Sequence, residues 1–171
     1  CESQIQEATP KSNVITPNKP ETPMDKSKVF IVHGHDKQAR LEVTNFIKSL
    51  DLKDIVLSEQ ASSGNTIIEK LEEYTNVGFG IVLYTPCDLG RSQEENGPLK
   101  PRARQNVVFE HGYLMGKIGR KNVCALVKGD IEKPTDIAGV VYIPMDEGNG
   151  WKLDVAKEMN KRGYKINLNK L

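Results

Sequence analysis

The chain has 171 residues, with 24 Lys and Arg against 23 Asp and Glu, 37% hydrophobic and 27% charged residues, the size and balance of one ordinary soluble domain. A formal net charge of +1 supplies no electrostatic footprint for nucleic acid, and no apolar run approaches the roughly 20 residues that cross a bilayer. Direct nucleic-acid binding and membrane-spanning functions are therefore set aside.

Cys1, Cys87 and Cys124 stand at wide spacings with no CxxC, which fits a reducing cytoplasm rather than a disulfide framework or a zinc cluster. The sequence opens on Cys and carries no signal-like segment, so a further upstream part, such as a sensor domain, is expected outside this chain. Residues 1–26 hold four of the nine prolines and none of the ten aromatics. Such a composition cannot bury a core, and the stretch reads as a disordered, Pro-rich linker preceding a domain over 27–171.

From Lys28 onward, short β-branched runs alternate with helical patterns. Strands are expected at 28–34, 54–60, 79–86, 122–129 and 140–146. Between the first two lies 36–50, with Leu41, Val43, Phe46, Ile47 and Leu50 at helical spacing and Asp36 able to cap it. The next helix, 65–77, carries Ile67, Ile68, Leu71 and Tyr74, with Asn65 and Glu69 at its opening. A last helix presents Leu153, Val155, Ala156 and Met159. Strands 1 and 3 are apolar throughout, as when helices cover both faces of a parallel sheet. The fold class is α/β, a flavodoxin-like doubly wound five-stranded parallel sheet, whose ligands bind at the carboxyl ends of the strands.

Polar segments follow three of those ends: His33-Gly34-His35-Asp36, then 58–65, then Thr85-Pro86-Cys87-Asp88, which runs on into a long loop before the third helix. At 100° per residue that helix turns Val107, Val108, His111, Leu114, Met115 and Ile118 to one face, and Arg102, Asn106, Glu110, Tyr113 and Lys117 to a neighbouring stripe. Glu110 thus borders the apolar face, half desolvated. It reads either as a site carboxylate steadied by Asn106 or as a solvated one paired with Lys117 or Arg102. Gly112, Gly116 and Gly119 form a further stripe that suggests close approach of another backbone or a ligand.

Other chemistries fit less well. His33, His35, Asp36 and His111 do not make a metal site, because His111 falls on the core stripe and the rest share one strand end. A phospho-receiver wants an acidic pair after strand 1, a dinucleotide oxidoreductase wants GxGxxG there, and neither is present. Cys87 has no adjacent base and reads as an inert thiol.

The segments KVFIVHGHD, SEQASSGNTIIEKLE, FGIVLYTPCDLG and PRARQNVVFEHGYLMGKIGRKNVCAL together resemble the TIR (Toll/interleukin receptor) domain superfamily. The likeness is to the TIR-like nucleotide-binding branch found as effectors of bacterial cyclic-nucleotide anti-phage systems of the CBASS and Pycsar type. It covers residues 28 to about 168, and RARxNVxFExGxxxGxxGR is its most specific part. The resemblance implies a flavodoxin-like fold and an enzyme that hydrolyses NAD+ as substrate at the nicotinamide-ribose bond, with no cofactor. It maps the catalytic carboxylate onto Glu110. Gly34, His35, Asp36, Thr85, Asp88, Arg102, Arg104, Asn106 and Tyr113 are then the residues expected to hold the nucleotide. It also implies self-association through TIR–TIR contacts involving Ala61, Ser62, Ser63, Gly64 and Asn65. One departure is Asn106, where many catalytic TIR domains carry an aromatic residue. A non-catalytic TIR adaptor or nucleotide-binding module acting by self-association is the alternative, and it would have no need of a carboxylate in the cleft.

Overall fold

Alternation of apolar side chains on very short strands dictates the layering of this chain. In the computed structural model, which describes residues 23–57, 67–94, 96–134 and 139–171, strand β1 (Lys28–Val32) turns Val29 and Ile31 to one face and Phe30 and Val32 to the other. All four are buried. Strand β3 (Phe79–Tyr84) and strand β6 (Val123–Val127) do the same, so the sheet has two apolar faces and needs a helical layer on each.

Helices α1 (Lys37–Ser49) and α4 (Gly150–Lys161) cover one face through Val43, Phe46, Ile47, Trp151, Val155 and Met159. Helices α2 (Ile67–Tyr74) and α3 (Gln105–Ile118) cover the other through Leu71, Val107, Leu114 and Ile118. With β2 (Lys53–Val56) and β7 (Val141–Pro144) the five parallel strands run in the order β2-β1-β3-β6-β7. Ile31 stands opposite Val56 on one side and Ile81 on the other. This is the flavodoxin-like order expected above. The chain changes faces between β1 and β3, which leaves a crevice outside their carboxyl ends.

Three expectations are corrected. The stretch between β3 and α3 is not a plain loop: β4 (Asp88–Gly90) and β5 (Lys100–Arg102) pair as a small antiparallel ribbon. Leu41, Ile68, Val108 and Leu153 are exposed, because each helix buries a narrower stripe than its apolar count suggests. A Cβ at Gly112 or Gly116 would meet nothing within 4 Å, so no other part of the described chain closes on those glycines. Gly119 has a different reason, since its φ of 85° ends α3 in the left-handed region.

Contacts of the folded unit reach back to Asp25, two residues before the expected start at 27. Its carbonyl accepts from the Gly78 N–H at 2.8 Å, and its carboxylate pairs with the Lys28 ammonium at 2.8 Å. Among the described residues no helix is long and apolar enough to cross a membrane.

Asp36 caps α1, accepting from the Ala39 N–H at 2.9 Å, while its second oxygen accepts from the Lys128 ammonium at 2.8 Å. Burial pushes its carboxyl up, but these donors outweigh burial and hold it below the usual carboxylate range. A lowered folded-state pKa stabilises above the unfolded value and is lost as pH falls through the folded one. Asp36→Ala is therefore expected to cost about 1–2 kcal/mol at pH 7 and progressively less in acid, measured by urea denaturation between pH 7 and pH 3.

Candidate active site

The crevice holds a cavity of about 470 Å³ at the carboxyl end of β1. Its walls come from four places. The β1–α1 loop gives His33, Gly34 and His35, α1 gives Lys37 and Arg40, α2 gives Lys70, and the start of α3 gives Arg104, Asn106 and Glu110. Ile31 and Leu57 add apolar surface. Four basic side chains, Lys37, Arg40, Lys70 and Arg104, thus line the cavity with a single carboxyl.

Helix α3 places that carboxyl. Val107, His111, Leu114 and Ile118 recur at i, i+4, i+7 and i+11 and are buried, so Glu110, one residue before His111, sits at the margin of the buried stripe. Burial raises its pKa from the ordinary 4.5 to about 7, against the opposing pull of the Arg104 charge. Of the two roles open to Glu110 in the sequence, that of a solvated, paired carboxylate does not fit this environment.

The roll of α3 is pinned from behind. His111 has no exposed surface, its Nδ1 lies 2.9 Å from the Tyr84 hydroxyl, and the two rings meet edge to face at 5.6 Å. Burial lowers the His111 pKa to about 4, so the imidazole is neutral at physiological pH and acts as a packed polar anchor.

Across the mouth of the cavity the Arg104 guanidinium donates to His35 Nε2. The His33 ring turns back to its own loop, Nδ1 lying 2.7 Å from the Gly34 carbonyl. Gly34, His35, Arg104, Asn106 and Glu110 therefore come together as the sequence led one to expect.

Five other candidates do not line the cavity. Asp36 is the α1 cap. Thr85 is buried, with its hydroxyl 3.1 Å from Cys87 Sγ. Asp88 and Arg102 are paired across the β4–β5 ribbon, and Tyr113 packs on the core beneath α3. Ala61, Ser62, Ser63, Gly64 and Asn65 lie outside the described residues.

Lys37, Arg40 and Lys70 were missed by sequence reasoning, which had His33 only within the polar segment after the first strand. Lys37 and Arg40, one turn apart at the start of α1, were the available signal, since any cation there faces the first strand end. Lys70 carried none, being brought in only by the path of α2.

Comparison with known proteins places these features in a family. Residues 28–147 match the family described as CAP12/Pycsar effector protein, TIR domain. The uncharacterized protein YuaY of Escherichia coli (strain K12) is 46% identical over 144 residues, covering 84% of this chain and 48% of that protein. Protein tirC of Dictyostelium discoideum is 38% identical over 151 residues, covering 82% of this chain and 74% of tirC. The Pycsar effector protein BcPycTIR of Burkholderia cepacia is 29% identical over 135 residues, covering 73% and 43% of the two chains. The chain spans about half the length of the Escherichia coli relative and less of the Burkholderia one.

Proposed function

The chain belongs to the TIR domains of the CAP12/Pycsar effector family, and from that premise we propose that it is an NAD+ glycohydrolase acting in bacterial anti-phage defence. The observation that carries the reading is Glu110: a half-buried carboxyl, titrating near pH 7, facing a cavity whose other charged walls are all cationic. Perturbed titration of this kind is a mark of catalytic sites.

The chemistry asks little of the protein. Nicotinamide is attached to ribose as a cationic pyridinium and leaves as a neutral ring, so no acid is needed to protonate it, unlike the leaving group of an ordinary glycoside. As the bond between ring nitrogen and C1′ breaks, its electron pair goes to the pyridine and positive charge develops on the ribose. Ionised Glu110 accepts hydrogen bonds from the ribose hydroxyls and stabilises that charge where little water screens it. Attack by water at C1′, with loss of a proton, gives linear ADP-ribose. Attack by the adenine of the same molecule gives the cyclic product. Arg104 and the cations of α1 and α2 suit the diphosphate, and Gly34 lets the backbone approach the nucleotide.

Activation by self-association belongs to the same proposal. The cavity is open at the strand ends, and a dinucleotide buries most of its surface in a well-formed site. A second protomer would supply the missing wall, and an upstream sensor domain would bring protomers together.

Incubating the purified chain with NAD+ over a wide range of protein concentrations, and identifying products chromatographically, tests the reading. Nicotinamide release in step with ADP-ribose, with specific activity rising with concentration, is the expected result. No release at any concentration or under crowding would leave the adaptor role instead.

A further inference from the structure

Cys87 lies on the connection from β3 to β4, beside the β1–α1 loop that walls the cavity. Three residues from two segments meet at its sulfur. His35 donates its backbone N–H to Sγ at 3.2 Å, and the Thr85 hydroxyl lies 3.1 Å from the same atom. A Cβ on Gly34 would lie 2.5 Å from Sγ, a separation that real contacts do not tolerate, so the loop closes onto the sulfur only because residue 34 is glycine.

The Cys87 backbone is fixed in place. The Cys87 N–H reaches the Thr85 carbonyl at 2.8 Å and the Arg102 carbonyl at 3.2 Å, which ties it to the end of β3 and to the β4–β5 ribbon. On the other side of His35, the imidazole accepts from Arg104, whose charge acts on Glu110. A chain of contacts thus runs from Cys87 through His35 to Arg104, whose charge reaches the carboxyl across the cavity.

We propose that Cys87 is a positioning residue of the cleft: its sulfur holds the His35 backbone so that the imidazole engages Arg104, and this fixes the cationic wall against Glu110. For its kinetic consequence the proposal rests on the glycohydrolase reading, whereas its structural consequence stands apart from turnover. Thiol chemistry plays no part in it. The sulfur serves as a bulky, soft acceptor of a size that matches the gap left by Gly34.

The test uses Cys87→Ala and Cys87→Ser in the full chain. Alanine removes the acceptor, while serine keeps one with a shorter reach. In the absence of NAD+, NMR of the His35 imidazole is expected to show its resonance displaced in Cys87→Ala and largely restored in Cys87→Ser. With NAD+, Cys87→Ala is expected to lower kcat/KM roughly tenfold to a hundredfold, the scale of a misplacement near 1 Å, and Cys87→Ser to recover most of it. The midpoint of the pH–rate profile should move upward in Cys87→Ala, because Arg104 no longer opposes protonation of Glu110. Both variants should melt within a few degrees of each other. If Cys87→Ala leaves the His35 resonance and the pH midpoint where the parent has them, whatever happens to stability, the thiol is merely structural and the proposal is overturned. Should the parent chain cleave no NAD+ while the His35 resonance responds as described, the functional reading fails and the positioning role stands.

Discussion

Glu110→Gln is expected to abolish NAD+ cleavage and, at the same time, to make the domain more stable above neutral pH. The substitution keeps size and hydrogen-bonding shape but removes the charge that would meet the developing cation. A loss of at least a thousandfold in turnover matches about 4 kcal/mol of electrostatic stabilisation. The gain in stability follows from the raised pKa. Between 4.5, the ordinary value, and about 7 the folded chain holds the Glu110 proton more tightly than the unfolded chain does. The protonated carboxyl therefore supports the fold at low pH, and that support is lost as pH rises through the folded value.

By pH 8 the native state carries a half-buried, ionised carboxylate that glutamine does not impose. The full shift corresponds to an upper bound of about 3 kcal/mol, and partial exposure reduces it to roughly 1–2 kcal/mol. Melting curves at pH 5 and pH 8 check this: the variant should match the parent at the first and exceed it by several degrees at the second. Wild-type activity should in turn climb between pH 6 and pH 8. A flat profile across that range, or a variant that keeps most of its turnover, would remove Glu110 from the role given to it.

Trp151→Ala has the largest expected effect on stability. Trp151 has no exposed surface and meets Phe46 edge to face at 5.2 Å, in the layer that α1 and α4 form against the sheet. Deleting a buried indole costs about 3–5 kcal/mol in lost transfer energy and residual cavity. Against a total of roughly 5–15 kcal/mol, that removes much of the margin. Trp151→Phe should cost far less, since the Trp151 Nε1 is already buried without a hydrogen-bond partner and its loss leaves nothing newly unsatisfied.

The layer lies on the far side of the sheet from α3, and Trp151 meets α1 at Phe46, well beyond the Lys37 and Arg40 at its start that wall the cavity. NAD+ turnover per folded molecule should accordingly stay within about twofold of the parent in both variants, because well-separated sites act nearly independently. Urea midpoints alongside turnover at low denaturant separate the two effects. A cost below about 1 kcal/mol for Trp151→Ala would mean that the α1–α4 layer collapses readily around the gap.

Much of the architecture was legible because it depends on pattern. Val29 to Val32 and Phe79 to Tyr84 are apolar on both parities, a signature of strands covered on both faces, and the α3 stripe announced both the anchor His111 and the marginal Glu110. Features that escaped depend on geometry that no local pattern encodes. The β4–β5 ribbon consists of three-residue strands held by cross-strand pairing, with Pro101 in one of them and no apolar alternation to betray either. Val108 was assigned to the buried face, but the contact between α3 and the sheet is narrower than the 100° rule allows for, and 36% of it remains exposed. The meeting of Cys87 with Gly34 spans 53 positions in sequence and exists only once β1 and β3 lie side by side. Lys70 reaches the cavity for a similar reason, carried there by a crossover rather than by its neighbours.

The outermost strands, β2 and β7, limit how this molecule joins to others. Among the described residues each ends the sheet on one side, and each is only four residues long. Half of β2 is Lys53 and Asp54, the latter near the Lys48 ammonium at 3.7 Å, and β7 stops at Pro144, which has no N–H to offer. Short, charged or proline-ended edges discourage a foreign strand from adding to the ladder. Continuing the sheet from one copy into the next is thereby disfavoured, and with it the aggregation that open strand edges invite. Any contact with a second copy would fall to helix faces and connecting segments, which can be made and broken without unzipping the fold.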